Sequence, residues 1–333
     1  MFITHPTTLM NPDLLQKIKS PAIAWLPGPR TLLRLTGPDR LRFLNGQVTQ
    51  DVKKILPGHA VRSAIITSKG RLEADLHIAA TSDSLLIETN FILRESLHTR
   101  LEKFIVADDV TIEDISLSYN LAHFLSLSSP PTDAPKDSLP FLCPRFREPG
   151  LDLWLPSTSP YQPDSSPLPE WEPLRIARGL PLWGIDVGPD TLPPEAGFES
   201  DAISSTKGCY IGQEVISRLR SVGHVNRHLC VLATANPPKL RPNARAEGIR
   251  SEGGSLPPST CPSFSLPAPG TSIPSLPLEC TTPEGTALGK MTSATSLPDS
   301  SAIIALSMIK RDHAKAGNSV LAGGATWTIL RHA

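Results

Sequence analysis

The stretch Lys207-Gly208-Cys209-Tyr210-Ile211-Gly212-Gln213-Glu214 holds a thiol between two glycines, beside a lysine and an aromatic ring. Val215, Ile216 and Leu219 then begin a helical apolar spacing. The pattern predicts a loop running into a helix, with Cys209 just before the first turn. Free N–H groups and the helix dipole at such an end favour an anion, and the adjacent Lys207 favours a thiolate. A thiolate is a nucleophile or a soft ligand for iron. The alternative is a buried cysteine that acts as a small hydrophobe. A cysteine nucleophile needs a base within hydrogen-bond reach. His224 and His228 are the candidates by sequence proximity, near Arg218, Arg220 and Arg227.

A second polar group lies far upstream. Asn45, Gln47, Thr49 and Asp51 fall in a loop after a short helical segment, where such residues either make turns or line a pocket. Asp75 sits on a strand that alternates polar with apolar residues, so it faces solvent or a channel.

Several elements have to position these groups. Residues 31–36 read as a strand, residues 37–46 as a short helix stopped at Asn45-Gly46, and residues 61–67 as a strand. Ser68-Lys69-Gly70 reads as a hairpin turn. The return strand places Leu72, Ala74, Leu76 and Ile78 opposite Arg71, Glu73, Asp75 and His77. Residues 84–89 read as another strand. Leu93, Leu97, Leu101 and Phe104 give helical spacing over 90–105, and 110–115 closes with a strand. The order β-α-β-β-β-α-β is an elaborated split βαβ pattern, which implies an antiparallel sheet with helices on one face. Residues 169–178 read as a helix containing Arg175, followed by a turn-rich loop with Trp183. Residues 224–233, 302–309 and 319–329 read as strands of a small C-terminal barrel.

The expected organisation is therefore an α+β part over 22–125, a Pro/Ser-rich insertion over 126–168, and a second part of the same body over 169–225. The barrel covers 226–333 and is interrupted by a Pro-rich insertion over 237–283. The chain has 333 residues, 35 of them proline, concentrated in these two stretches. Segments 128–138 and 250–275 are expected to be poorly ordered. Lys+Arg and Asp+Glu both number 32, which argues against wholesale nucleic-acid binding. No apolar run is long enough to span a membrane. Five cysteines, with no CxxC, argue against a disulfide framework or an all-protein zinc site. The first 27 residues show neither a secretory nor an Arg-rich transit pattern, so any targeting segment is expected to have been removed.

KGCYIGQE resembles the signature of the folate-binding YgfZ-type proteins. These are relatives of the glycine cleavage T-protein, and their mitochondrial members are iron–sulfur assembly factors of the Iba57 type. Residues 39–51 (DRLRFLNGQVTQD), Lys69-Gly70-Arg71 with Asp75, and segments 175–186, 192–197 and 289–293 resemble further landmarks of that family. The resemblance implies two ferredoxin-like-derived α+β domains around a central channel, plus a C-terminal β-barrel. It implies a channel like a tetrahydrofolate site, lined by Asn45, Gln47, Thr49, Asp51, Asp75, Arg175 and Trp183. It also implies a role in maturing 4Fe–4S clusters in the mitochondrial matrix, with A-type scaffold proteins as partners. The matching cysteine is Cys209, supported by Lys207, Gly208, Tyr210, Gly212, Gln213, Glu214 and Arg218.

Two departures stand out. The aminomethyltransferases hold the pterin with a glutamate in Arg-Leu-Glu-Ala-Gly, whereas the matching stretch here is Arg175-Ile176-Ala177-Arg178-Gly179. Their paired aspartates read here as Ala74-Asp75. A pterin's amide and amino edge pairs well with a carboxylate, so tetrahydrofolate binding is expected to be weak or absent. One cysteine cannot hold a cluster alone. Cys209 as a ligand therefore requires a 2Fe–2S cluster shared with a partner. The competing readings are a tetrahydrofolate-dependent aminomethyl- or methyltransferase and a cysteine-nucleophile enzyme.

Overall fold

The computed structural model describes residues 27–164, 168–235, 276–297 and 302–333. Its first sheet is built from β1 (Arg30–Thr36), β2 (Ala60–Ile66), β3 (Leu72–Ala80), β4 (Leu85–Asn90) and β5 (Thr111–Asp114), in the order β2-β3-β4-β1-β5. Every pairing is antiparallel. Helices α1 (Arg40–Gln47) and α2 (Arg94–Glu102) cover one face. Phe43, Leu44, Leu97 and Leu101 pack there on Leu33, Leu35, Leu76, Ile78 and Ile87. The alternation along β3 is what allows this, because Leu72, Ala74, Leu76 and Ile78 are buried while Glu73, Asp75 and His77 are only half-buried. The predicted β-α-β-β-β-α-β order is thus the observed one, although α2 is shorter than the 90–105 spacing suggested.

The opposite face of this sheet is also covered. β6 (Tyr119–Leu125), β7 (Leu139–Leu142) and β8 (Gly150–Pro156) form a three-stranded sheet, order β6-β8-β7. Leu121, Phe141 and Trp154 pack on Leu32, Ala60, Ala79 and Leu86. Two of these strands lie inside the stretch 126–168 expected as an insertion. Its prolines and serines mask a run, Leu151, Leu153, Trp154 and Leu155, that is buried along β8. Segment 128–138, expected to be poorly ordered, forms turns between β6 and β7, where Tyr161 donates to Asp133. Segment 250–275 lies outside the described residues.

Helix α3 (Leu168–Ala177) leads into the loops that precede α4 (Gln213–Ser221). β9 (Arg227–Thr234), β10 (Leu278–Thr281), β11 (Ala287–Ser296), β12 (Ile303–Lys310), β13 (Ser319–Ala322) and β14 (Ala325–His332) close a six-stranded barrel, order β10-β11-β12-β9-β14-β13. β10 lies within the expected 237–283 insertion. Segment 319–329, read as one strand, is a hairpin whose turn residues Gly323 and Gly324 take φ of 58° and 78°. Trp327, Leu232, Ile329 and Met291 fill the barrel. The other side of β9 and β12 presents Leu229, Val231, Ala233, Ile304 and Leu306 to Ile176, Ala177 and Phe198. The fold is α+β with a closed C-terminal barrel that shares a core with the body.

Candidate functional site

The Cys209 loop is held by long-range contacts on both sides of the thiol. The Lys207 ammonium is buried and donates to the carbonyls of Asn45 at 2.7 Å, Val48 at 2.6 Å and Gln50 at 2.9 Å. It also stands 4.8 Å over the Tyr210 ring. Burial, only partly offset by Asp51, pulls its pKa down to about 8. The Ile211 amide donates to Gly46 O at 3.2 Å. Gly212 has φ +81°, and a Cβ there would stand 2.4 Å from Thr67 O, so the close approach of loop to hairpin needs a glycine. Between these anchors Gly208 and Cys209 are exposed. Nothing stands within 4 Å of where a Gly208 Cβ would be.

The detail differs from the sequence reading in two respects. Lys207 spends its charge on three carbonyls. The helix opens at Gln213, four residues past Cys209, with Gly212 at its N-cap. Gln213 therefore begins α4, and Glu214 pairs with Arg218 on its exposed face at 2.7 Å. Among the described residues no hydrogen bond joins Cys209 to a histidine. His224 is exposed, and His228 is stacked on His332 with ring centroids 4.2 Å apart. Cys143, Cys230 and Cys280 are buried. Burial pushes the Cys230 thiol up to about 12 and raises that of Cys143 well above its usual value. Cys261 lies outside the described residues.

Four of the seven expected channel residues belong to the mount of this loop. Asn45 Oδ1 accepts from Val52 N at 3.1 Å, and Gln47 Oε1 accepts from Arg100 at 3.0 Å. Thr49 Oγ1 donates to Ala202 O at 2.7 Å and accepts from Ala64 N at 2.9 Å. Asp51 accepts from Lys53 N at 3.3 Å and pairs with Lys54 at 3.2 Å. Their side chains brace the backbone that Lys207 grips.

The other three, Asp75, Arg175 and Trp183, line a cavity of about 270 Å³. Its further walls come from β1, β2, β3, the β7–β8 loop, α3 and the loop after it, including Arg62, His77, Arg145, Trp171 and Glu172. Asp75 is gripped by Arg62 through two bonds of 3.1 and 3.0 Å. Arg62 in turn lies 4.0 Å over the Phe198 ring. Arg175 holds Glu172 through bonds of 3.0 and 2.7 Å and Asp186 at 3.0 Å. Behind the wall, Arg145 bonds Glu88 at 3.0 Å and Asp152 at 2.6 Å, and Asp152 meets His123 at 2.7 Å. Burial alone would raise Glu88, but Arg145 and Arg30 outweigh it and hold the carboxyl well below its usual range. A second cavity of about 350 Å³, bounded by Leu72, Glu73, Leu97 and Arg100, shares Trp183 as a wall.

Sequence reasoning missed His77, Glu88, Arg145, Trp171 and Asp152 as members of this cluster. His77 could have been found, since it stands two residues from Asp75 on the same strand face. Arg145 and Asp152 lie in the stretch read as an insertion and gave no signal. Ala177, which stands in the Arg175–Gly179 stretch, is buried in the core shared with the barrel. The carboxylates lining the cavity, Asp75 and Glu172, are each held bidentately by an arginine. Among the described residues no cluster of histidine, cysteine and acidic side chains could hold a metal ion. None of their helices is long and apolar enough to cross a membrane.

No family model matches the chain. It is 23% identical over 328 residues to a putative chloroplastic transferase of Arabidopsis thaliana, covering 87% of this chain and 66% of that protein. It is 26% identical over 231 residues to the tRNA-modifying protein YgfZ of Sodalis glossinidius, covering 62% of this chain and 70% of the relative. The YgfZ of Yersinia pestis (strain Pestoides F) is 28% identical over 227 residues, covering 61% and 68%. The chain thus spans about two thirds of the length of these relatives. In structure it is similar to the glycine cleavage system aminomethyltransferase T of Bartonella henselae. The TM-score is 0.66 at 16% identity, covering 98% of this chain and 90% of that one. The fold is therefore that of the aminomethyltransferase T-protein, and in sequence the chain is similar to YgfZ proteins.

Proposed function

We propose that the protein is an accessory factor in the maturation of 4Fe–4S clusters, sharing a 2Fe–2S cluster with an A-type scaffold partner through Cys209. The observation that carries this reading is the exposure of Cys209 on a braced loop, while Cys143, Cys230 and Cys280 are buried. A thiolate is a soft ligand suited to iron. With Gly208 beside it and open space around, a partner's cluster can approach the backbone closely. Clusters usually take four ligands, so the others come from the partner. The proposed setting is the mitochondrial matrix, as for the Iba57-type proteins that the signature resembles.

The test mixes the protein with an A-type scaffold loaded with a 2Fe–2S cluster. A complex with altered cluster absorption is expected, and Cys209→Ser should abolish it with an unchanged thermal melt, because a serine oxygen is a harder and less acidic ligand. A lowered melt with normal reconstitution would sink this reading. The coarser reading, a transferase-like role related to folate, is supported by the T-protein fold and by the name of the Arabidopsis relative. It makes the cavity under Trp183 the site, with tetrahydrofolate bound weakly or not at all.

A further inference from the structure

From the charges around the Cys209 loop we infer an interaction surface, a cationic collar that receives the acidic face of a protein partner. The partner's identity rests on the cluster-sharing reading above; the collar itself does not. Whole-chain charge gives no hint of it, since Lys+Arg and Asp+Glu both number 32. The imbalance is local.

Three elements bring cations to the loop. The 3₁₀ turn Val52–Lys54 lies on one side, where Lys54 Nζ donates to Thr206 Oγ1 at 3.4 Å. Lys53 on the same turn is close enough to Lys207 to oppose its charge. The β2–β3 hairpin tip lies on the other side. A Cβ on Gly212 would stand 2.4 Å from Thr67 O, and one on Gly70 would stand 2.8 Å from Val215 Cγ1. The tip that carries Lys69 is thereby held against the loop and the start of α4. Helix α4 adds Arg218, and the buried Lys207 lies under the loop as a fifth cation.

Against these five cations stand two carboxylates. Asp51 pairs with Lys54 at 3.2 Å and Glu214 with Arg218 at 2.7 Å. Lys53 and Lys69 are exposed and stand in no ion pair among the described residues. The Lys207 ammonium meets carbonyls and the Tyr210 ring. The bordering pairs Arg100–Glu73 and Arg220–Glu199 cancel. An excess of positive charge around one thiol sets a field that reaches about 10 Å at ordinary salt.

The shape of the surface selects the partner. Neither cavity described above is lined by Cys209, Gly208 or these lysines, and Gly208 faces open space. The collar is therefore open. Its lysines are flexible point charges, without the fixed fork that clamps one small anion. A broad acidic face matches charges spread in this way. Single-stranded bases would need a ring to stack on, but the ring of this loop, Tyr210, is 8% exposed. A 2Fe–2S cluster on thiolates is itself an anion, so the same field favours its approach to Cys209.

The test has two arms, both on the full chain. The first needs no partner. Iodoacetate and iodoacetamide differ mainly in charge, and peptide mass spectrometry reads alkylation of Cys209 apart from the other cysteines. At low salt the iodoacetate-to-iodoacetamide rate ratio at Cys209 is expected to exceed that of the urea-unfolded chain several-fold. It should fall toward that value in Lys53→Glu/Lys69→Glu. The second arm follows association with an A-type scaffold carrying a 2Fe–2S cluster by stopped flow. The same double variant should associate roughly tenfold more slowly, and the gap should close in about 0.5 M salt. Lys53→Arg/Lys69→Arg should keep the rate. Lys136→Glu/Lys315→Glu changes net charge equally at exposed positions elsewhere and should leave the rate unchanged. Thermal melts confirm that each variant folds. An unraised alkylation ratio would overturn the collar, whatever the scaffold does. A complex whose association ignores Lys53 and Lys69, or no complex despite a raised ratio, would overturn the acidic partner. Polyuridylate bound more tightly than the scaffold through the same lysines would overturn it too. Cluster absorption that survives Cys209→Ser, with association still dependent on the lysines, would instead remove the cluster reading and leave the docking surface standing.

Discussion

At the residue scale, Cys209 and Lys207 are neighbours but one in chain and opposite in environment. The loop that exposes the thiol does so because the lysine is drawn under it to cap three carbonyls of residues 45–50. A maleimide should therefore modify Cys209 well before Cys143, Cys230 or Cys280, as read by peptide mass spectrometry on the folded protein. Faster modification of a buried cysteine would contradict the placement. The residue types of this mount were legible: a thiol between glycines, a lysine, and a run of polar side chains. Their roles were not. The bonds that define them join positions some 160 residues apart, and no local pattern encodes such a pairing. Asn45, Gln47, Thr49 and Asp51 leave turn and pocket open in the sequence, because a polar loop looks the same whether it faces a ligand or another loop.

At the scale of elements, periodicity served well where one face of a strand or helix is buried. The alternation on β3 and the spacing of Leu97 and Leu101 on α2 placed the first sheet and its helices. It served poorly for β8, buried on both faces and set among prolines, and for β10, only four residues long. The loop after α3 contains a joint that no pattern announced. The Asp186 carboxylate accepts from Arg175 at 3.0 Å, Leu182 N at 2.9 Å, Thr292 at 2.5 Å and Ser293 at 2.7 Å. It thereby ties α3 and its loop to β11 of the barrel. Asp186→Ala would leave a buried guanidinium short of a partner and a backbone N–H unpaired. A loss of about 3–5 kcal/mol in unfolding free energy is expected by urea denaturation. A change under 1 kcal/mol would show that the joint carries little.

For the whole molecule, the body and the barrel are one folded unit, because β9 and β12 serve two cores at once. His228 on β9 and His332 on β14 stack at the edge of that junction. Burial first, then His332 and Arg311, hold the His228 pKa below its ordinary value, against a weaker pull from Glu199. In the unfolded chain the same imidazole takes up its proton near pH 6.5. As pH falls below that value the unfolded state binds the proton first, so stability drops; above it the contribution is fully present. Thermal melts at pH 7.5 and 5.5 should show a lower midpoint in acid, and His228→Gln should reduce the difference. An identical pH response in the variant would assign the effect to other groups, buried His123 among them. Trp183 belongs to this scale too, as the wall that both cavities share. Space that one compartment gains by a turn of the indole is space that the other loses. Two occupants on opposite sides would feel each other without contact, and each would shift the apparent affinity of the other by the same factor.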